Sequence, residues 1–206
     1  MINQCLKPQG LLGRLVIWNM NKRHSGVTDW GLSHITVHPN DIILDAGCGG
    51  GRTISKLAVM AFAGKVYGID FSPESVAVAR KTNAQLIRAG RVEVQEASVS
   101  QLPFPEALFD LITAVETHFW WPDPPNDVRE LTRTLKPGGT LVLIAELYLG
   151  ATSKMAQLAE KHLPKTGMKL MTVEQHRHLL EQAGLSDVQI FTQPDKAWIC
   201  VTGKKR

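Results

Sequence analysis

Two carboxylates and the loop between them hold the chemistry that is easiest to see in this chain: Asp45, the glycines Gly47, Gly49, Gly50 and Gly51, and Asp70. Four glycines within five residues remove the Cβ atoms that would keep a ligand at a distance, and they permit positive φ. Asp70 follows the loop by about 20 residues, the separation at which a carboxylate on a neighbouring strand can grip ribose hydroxyls. The pattern is that of a nucleotide-binding unit. Further along, Thr117-His118-Phe119-Trp120-Trp121-Pro122-Asp123 gathers an imidazole and three aromatic rings in seven residues. Imidazole titrates near neutral pH, so His118 is the candidate catalytic base or orienting group, with Glu116 as a second candidate.

These groups need a scaffold, and the hydrophobic pattern supplies one. Ile42-Ile43-Leu44 is a short β-branched apolar run, as a buried parallel strand requires, and it delivers Asp45 to its carboxyl end. Arg52 to Phe62 repeats apolar residues at Ile54, Leu57, Ala58 and Ala61, a helix whose first N–H groups face the space beside the loop. Lys65 to Ile69 is a second strand ending at Asp70, and Ser72-Pro73-Glu74 caps a helix that runs to about Ala89 and stops at Gly90. Alternation predicts a third strand over Arg91 to Ala97 and a fourth from Phe109 to about Glu116, which leaves His118 at the ligand-binding edge. Asn126 to Leu135 reads as a helix, Lys136 to Gly139 as a turn, and Thr140 to Leu147 as a fifth strand. After a helix from Ser153 to His162 and a loop bearing Lys165, Met168 and Met171, the capping box Thr172-Val173-Glu174-Gln175 opens another helix that ends at Gly184. Val188 to Gln193 and Ala197 to Thr202 are two closing strands. Upstream, Gly10 to Met20 and Asp29 to Ile35 read as short helices, the second capped near Thr28.

The glycine spacing separates two cofactors. A dinucleotide fingerprint would place its third glycine at position 52, which is Arg52. The chain instead reads Asp-x-Gly-x-Gly-x-Gly from Asp45 to Gly51, and later Leu135-Lys136-Pro137-Gly138-Gly139 ahead of an apolar strand. In both it resembles the class I S-adenosylmethionine-dependent methyltransferases of small-molecule type, the group that includes the quinone-biosynthesis enzymes. The Leu102-Pro103-Phe104 turn before Phe109-Asp110 is similar too. The resemblance covers residues 38 to 148 well and 170 to 203 loosely.

What the resemblance implies is specific. The fold is an α/β, Rossmann-like three-layer sandwich with a seven-stranded, mostly parallel sheet and an antiparallel C-terminal hairpin. Residues 1–206 form one domain, with an N-terminal helical lid (1–40), a cofactor-binding core (41–149), and a substrate-side helix with closing strands (150–206). The cofactor is S-adenosyl-L-methionine. Gly47, Gly49 and Gly51 surround its methionine portion, Cys48 is a further cofactor-binding residue, Asp45 positions the ammonium end, and Asp70 binds the ribose. Phe71, Ala97 and Ser98 lie at the adenine, with Val115 at the fourth strand's end. The acidic residue usual after the third strand is absent, Glu96 standing one position earlier.

In such an enzyme the methyl group is already activated on a sulfonium, so in-line placement of the acceptor at about 3 Å supplies much of the acceleration. Aromatic faces help hold a cation, which gives Phe119, Trp120 and Trp121 a role, although two adjacent tryptophans cannot both point into the cleft and one belongs to the core. Glu146 and Tyr148 after the fifth strand, and His24, Trp30 and His34 in the lid, are acceptor-side candidates. Asp123-Pro124-Pro125-Asn126 looks like the Pro-Pro motif of amino-methylating enzymes, but it begins seven residues after Glu116, where it reads as the entry to a helix.

Composition bounds the partners. A length of 206 residues suffices for one α/β domain. Lys plus Arg number 23 against 19 Asp plus Glu, a net +4, and three of the cations are Lys204, Lys205 and Arg206, which read as a solvated tail. The resemblance implies a small-molecule acceptor, and the modest positive charge is all that would favour a nucleic acid, which is not expected. Cys5, Cys48 and Cys200 are odd in number and lack metal-ligand spacing, which predicts a reducing, cytoplasmic setting and no metal. No stretch approaches the ~20 apolar residues of a membrane span. A nicotinamide-dependent oxidoreductase and a non-catalytic cofactor-binding module are the alternative functions. The apolar N-terminal helix and the aromatics would suit a homodimer.

Overall fold

The computed structural model describes residues 24–162 and 167–206, so the expected Gly10–Met20 helix, most of the expected lid, Cys5 and Lys165 lie outside the described residues. In chain order the elements are α1 (Ser25–Leu32), β1 (Ile42–Ala46), α2 (Arg52–Met60), β2 (Lys65–Asp70), α3 (Pro73–Thr82), α4 (Ala84–Arg88) and β3 (Val92–Glu96). There follow β4 (Phe109–Val115), a 3-10 turn (His118–Trp120), α5 (Pro124–Thr134), β5 (Leu135–Ala145), α6 (Lys154–His162), α7 (Val173–Gln182), β6 (Leu185–Gln193) and β7 (Trp198–Lys205). The strands form one seven-stranded sheet in the order β3-β2-β1-β4-β5-β7-β6. β7 runs antiparallel between β5 and β6, and the pairings among β1 to β5 are parallel.

Period-two alternation divides the core into two layers. Ile43, Leu111, Val142 and Ile144 pack with Val27 of α1, Ile54 and Leu57 of α2, and Val76 of α3. Leu44, Ile112, Leu141 and Leu143 pack on the other face with Val128 and Leu131 of α5 and Leu179 and Leu180 of α7. Because both faces are covered, the strands read as continuous apolar runs, and each fully buried Leu or Ile contributes about 1.5–3 kcal/mol. The sheet order reverses between β1 and β4, so the crevice for a ligand opens outside the carboxyl ends of those two strands.

Several boundaries differ from the sequence expectation for identifiable reasons. α1 begins at Ser25 rather than Asp29, and Thr28 does not cap it: its hydroxyl donates back to the His24 carbonyl at 2.8 Å. The single helix expected to reach Ala89 is broken at Asn83, whose side chain donates to Gly51 O (2.9 Å) and Ala79 O (3.0 Å) and accepts from Ser55 (2.7 Å), tying α3 to the glycine loop. α5 starts at Pro124 behind an Asp123 cap. The expected Lys136–Gly139 turn lies within β5, where Leu135 pairs with Phe109 across a register shift. The closing strands extend further than expected at the open end of the hairpin, β6 starting at Leu185 and β7 running to Lys205. Lys204 and Lys205 are not a solvated tail but strand residues, and the Lys205 ammonium donates to the carbonyls of Arg133 and Leu135 at 3.1 and 2.8 Å.

Candidate active site

The loop after β1 is shaped by its backbone. Gly47 N–H and Cys48 N–H both donate to the Ile69 carbonyl at 2.8 Å, which pulls the loop across the end of β2. Gly47 has φ +78°, and a Cβ there would clash with Thr117 Oγ1, so this glycine lets the loop lie against the end of β4. Gly49 differs: at φ +51° a Cβ would meet nothing within 4 Å, which identifies the point where bare backbone faces the open cleft. Cys48 is buried between the carboxylates, and burial followed by their charge pushes its thiol well above the ordinary value.

Asp45 and Asp70 do different work. Asp70 accepts from Gly49 N–H through Oδ2 and from Ser72 N–H through Oδ1, each at 2.9 Å, and so fixes the loop to the start of α3. Burial raises its pKa and these N–H donors lower it, with burial prevailing. A carboxylate has about four lone-pair sites, so acceptor capacity is left for hydroxyls. Asp45 is 1 % exposed. Its Oδ1 accepts from Thr113 Oγ1 at 2.8 Å while Oδ2 is buried with no partner. Burial pushes its pKa up to about 7 against the Thr113 bond, with a further rise from Asp70. A fully buried acceptor of this kind awaits a cationic donor. Phe71 is 45 % exposed beside Asp70, Ala97 is half-buried with its N–H on the Asp70 carbonyl (3.1 Å), Ser98 is exposed, and Val115 is half-buried at the tip of β4.

On the facing side, Glu116 follows β4 with φ +57°, a left-handed conformation that costs a non-glycine residue about 1–3 kcal/mol. Its N–H donates to Ile144 O at 2.9 Å and its Oε1 accepts the Glu146 N–H, so it bridges the tips of β4 and β5. His24 joins them, with Nδ1 3.3 Å from Glu146 Oε1 and 3.7 Å from Glu116 Oε2. The other acceptor-side candidates do not gather here. Trp30 lies on α1 against Trp198 and His34, and His34 stacks on Phe191 at 4.1 Å. Tyr148 is buried in the layer beneath α5 and α7.

His118 is placed differently from the sequence expectation. It is 1 % exposed, and its Nε2 lies 3.0 Å from Nε2 of His176. His176 Nδ1 sits 2.8 Å from the Thr172 carbonyl, which can only accept, so that nitrogen carries the proton. Its Nε2 therefore accepts, and His118 Nε2–H donates. Burial and then the neighbouring imidazole hold His118 well below the ordinary imidazole value; burial lowers His176 against the Thr172 bond. The cause is the segment before α7: Lys169 N–H donates to Phe119 O at 2.8 Å, folding residues 168–171 over the 3-10 turn. Trp121 is buried as core, while Trp120 is half-buried beside Phe119. Sequence reasoning missed Thr113, Thr117 and His176. A lone threonine inside the apolar run of β4 was a usable signal for the first; nothing local marks His176.

A groove of about 670 Å³ lined by His38, Asp41, Asp110, Lys136 and Lys204 lies at the opposite edge of the sheet, at the amino ends of β1, β4 and β5. Its Lys136 and Asp110 are already paired at 2.7 Å, and it shares no residue with the loop.

A sheet that reverses between β1 and β4, with a glycine loop and two buried carboxylates at that point, defines a Rossmann-like nucleoside-cofactor domain. The methyltransferase domain family matches residues 44–143. The 27-O-demethylrifamycin SV methyltransferase of Amycolatopsis mediterranei is 29% identical over 175 residues, covering 82% of this chain and 64% of that protein. A demethylmenaquinone methyltransferase of Bacillus mycoides is 25% identical over 195 residues, covering 82% of this chain and 80% of that protein. The crystal structure of a SAM dependent methyltransferase from Aquifex aeolicus aligns with a TM-score of 0.75 at 21% identity, over 92% of this chain and 97% of that one. Together these likenesses support a class I S-adenosylmethionine-dependent methyltransferase. It spans 64% and 53% of the length of the first two curated relatives it matches. S-adenosyl-L-methionine is the cofactor of this family, and the residues present fit it: Asp45 Oδ2 for an ammonium, open backbone at Gly49, and spare acceptor capacity on Asp70.

Proposed function

We propose that this chain transfers a methyl group from S-adenosylmethionine to a small organic acceptor, with an oxygen as the favoured accepting atom because the rifamycin relative is named for such a substrate. The observation that carries the reading is the buried, unpartnered Oδ2 of Asp45 beside the open backbone of Gly49. When bound, the cofactor supplies a methyl group already activated on a sulfonium. Asp45 then holds the ammonium end, Gly47 to Gly51 line the methionine portion, Asp70 takes ribose hydroxyls and Phe71 covers the adenine. Glu116 and Glu146, at the tips of β4 and β5, orient the acceptor, and Glu116 can take its hydroxyl proton. His118 does not act as the base, since its remaining bare nitrogen is buried in the core.

The same reading treats residues 1–206 as one methyltransferase domain acting in the cytoplasm, in line with the buried free thiols of Cys48 and Cys200, and as a homodimer to be checked by light scattering. Among the described residues no helix is long and apolar enough to cross a membrane. Calorimetric titration with S-adenosylmethionine, its demethylated product and NAD tests the cofactor; binding of NAD alone would overturn the proposal. A labelled-methyl assay on cell extract split into small molecules, protein and RNA tests the acceptor. Label is expected in the small-molecule fraction, and label confined to protein or RNA refutes it.

A further inference from the structure

Three metal-ligating side chains from separate parts of the chain converge at the acceptor edge: His24 before α1, Glu116 after β4 and Glu146 after β5. One donor atom of each lies within 4.8 Å of the other two, with His24 Nδ1 at 3.3 and 3.7 Å from the carboxylate oxygens. Ligands held about 2.1 Å from one octahedral ion stand about 3 Å apart when adjacent and about 4.2 Å when opposite, so this spacing suits a shared ion with small side-chain adjustment. The three side chains are 20%, 13% and 20% exposed, largely withdrawn from water. The Glu146 N–H bound to Glu116 Oε1 leaves Oε2 turned toward His24, the kind of outer hydrogen bond that orients a metal ligand.

We propose that His24, Glu116 and Glu146 form a divalent-cation site for a first-row ion such as Mn²⁺, which accepts carboxylate oxygens together with an imidazole nitrogen. A six-coordinate ion held by three protein ligands keeps three positions for oxygens, so the acceptor class is a molecule with a hydroxyl and a second oxygen within chelating reach. The bound ion takes over from a free Glu116 carboxylate in orienting the hydroxyl and lowers the hydroxyl's pKa. Its role toward an acceptor rests on the methyltransferase reading above; cation binding itself does not. The expectation of no metal came from cysteine spacing, which is blind to ligands brought together from distant segments.

The test is titration of the metal-stripped full chain with Mn²⁺, following the free-ion electron paramagnetic resonance signal, with S-adenosylmethionine titrated in parallel by calorimetry. One ion per chain is expected, and E116Q, E146Q and H24A should each weaken binding at least about tenfold. D110N, at the opposite edge of the sheet, should not. Thermal melts confirm that the variants fold; if E116Q does not, E146Q and H24A decide. Absence of binding below roughly 1 mM, or binding that survives both E146Q and H24A, overturns the site and leaves a protonated His24 bridging two carboxylates as the explanation of the cluster. If S-adenosylmethionine binds while Mn²⁺ does not, the cation site alone falls; if S-adenosylmethionine fails to bind, the methyltransferase reading falls instead.

Discussion

Replacing Asp45 with Asn should make the cofactor-free protein more stable and the cofactor harder to bind. Between an ordinary value of 3.8 and a folded value of about 7, the folded chain keeps a proton on Asp45 that the unfolded chain releases, so stability falls as pH rises through that window. Above about 7 the deficit is constant, and at about 1.36 kcal/mol for each tenfold change in proton affinity it amounts to about 4 kcal/mol. Asn removes the charge and can still accept from Thr113, but its amide N–H takes the place of the unpartnered Oδ2 and is itself unsatisfied, at a cost of about 1–3 kcal/mol. A net gain of about 1–3 kcal/mol at pH 8 follows, or roughly 2–12 °C in melting temperature for a chain of this length. At pH 5 wild-type Asp45 is protonated and the gain should vanish or reverse. The ammonium meanwhile loses a charged hydrogen bond of about 1.5–3 kcal/mol, weakening S-adenosylmethionine about 10- to 150-fold. Scanning calorimetry at both pH values and isothermal titration supply the readouts. A variant less stable than wild type at pH 8, or one that binds the cofactor with unchanged affinity, would refute the assignment.

Three further predictions separate structure from function. H118A should lower stability by about 2–3 kcal/mol while leaving turnover per folded molecule level across pH 6 to 9, because the ring packs in the core; a lost limb in the pH–rate profile would restore it as a base. Since His118 and His176 are both held below their ordinary value of 6.5, the unfolded chain takes up protons first as pH falls below 6.5, and stability drops by up to about 2.7 kcal/mol per pH unit until the folded values are passed. Urea titrations at pH 7, 6 and 5 should show a shallower dependence in H118A. G47A and G49A should part company in melts and cofactor titrations. G47A drives a Cβ into Thr117 and should lose more stability than G49A, whose left-handed φ alone costs about 1–2 kcal/mol while its new methyl group enters the cleft and weakens the cofactor. Equal loss of stability in the two would show that the Thr117 contact is not tight.

The β1 strand, the glycine loop and Asp70 were legible because each is encoded locally: an apolar run, a shortage of Cβ atoms, and a carboxylate at a strand tip. The same holds for the capping box of α7, found with both of its reciprocal hydrogen bonds. The break at Asn83 was not legible, since a helix-compatible sequence is interrupted there by bonds to Gly51 and Ser55 on another segment. Lys204 and Lys205 looked like a tail because charge and position suggest solvent, whereas β7 needs them to reach β5 and β6. His118 sits at the strand end where its position in the sequence put it, yet it faces His176, 58 residues away, because residues 168–171 fold over the turn. The sequence by itself determined the cofactor class and that the glycine loop, Asp45 and Asp70 share one edge of the sheet. Only the tertiary structure decided which side chains face the cleft and that His24, Glu116 and Glu146 meet, because direction and proximity come from packing between segments that no local pattern connects.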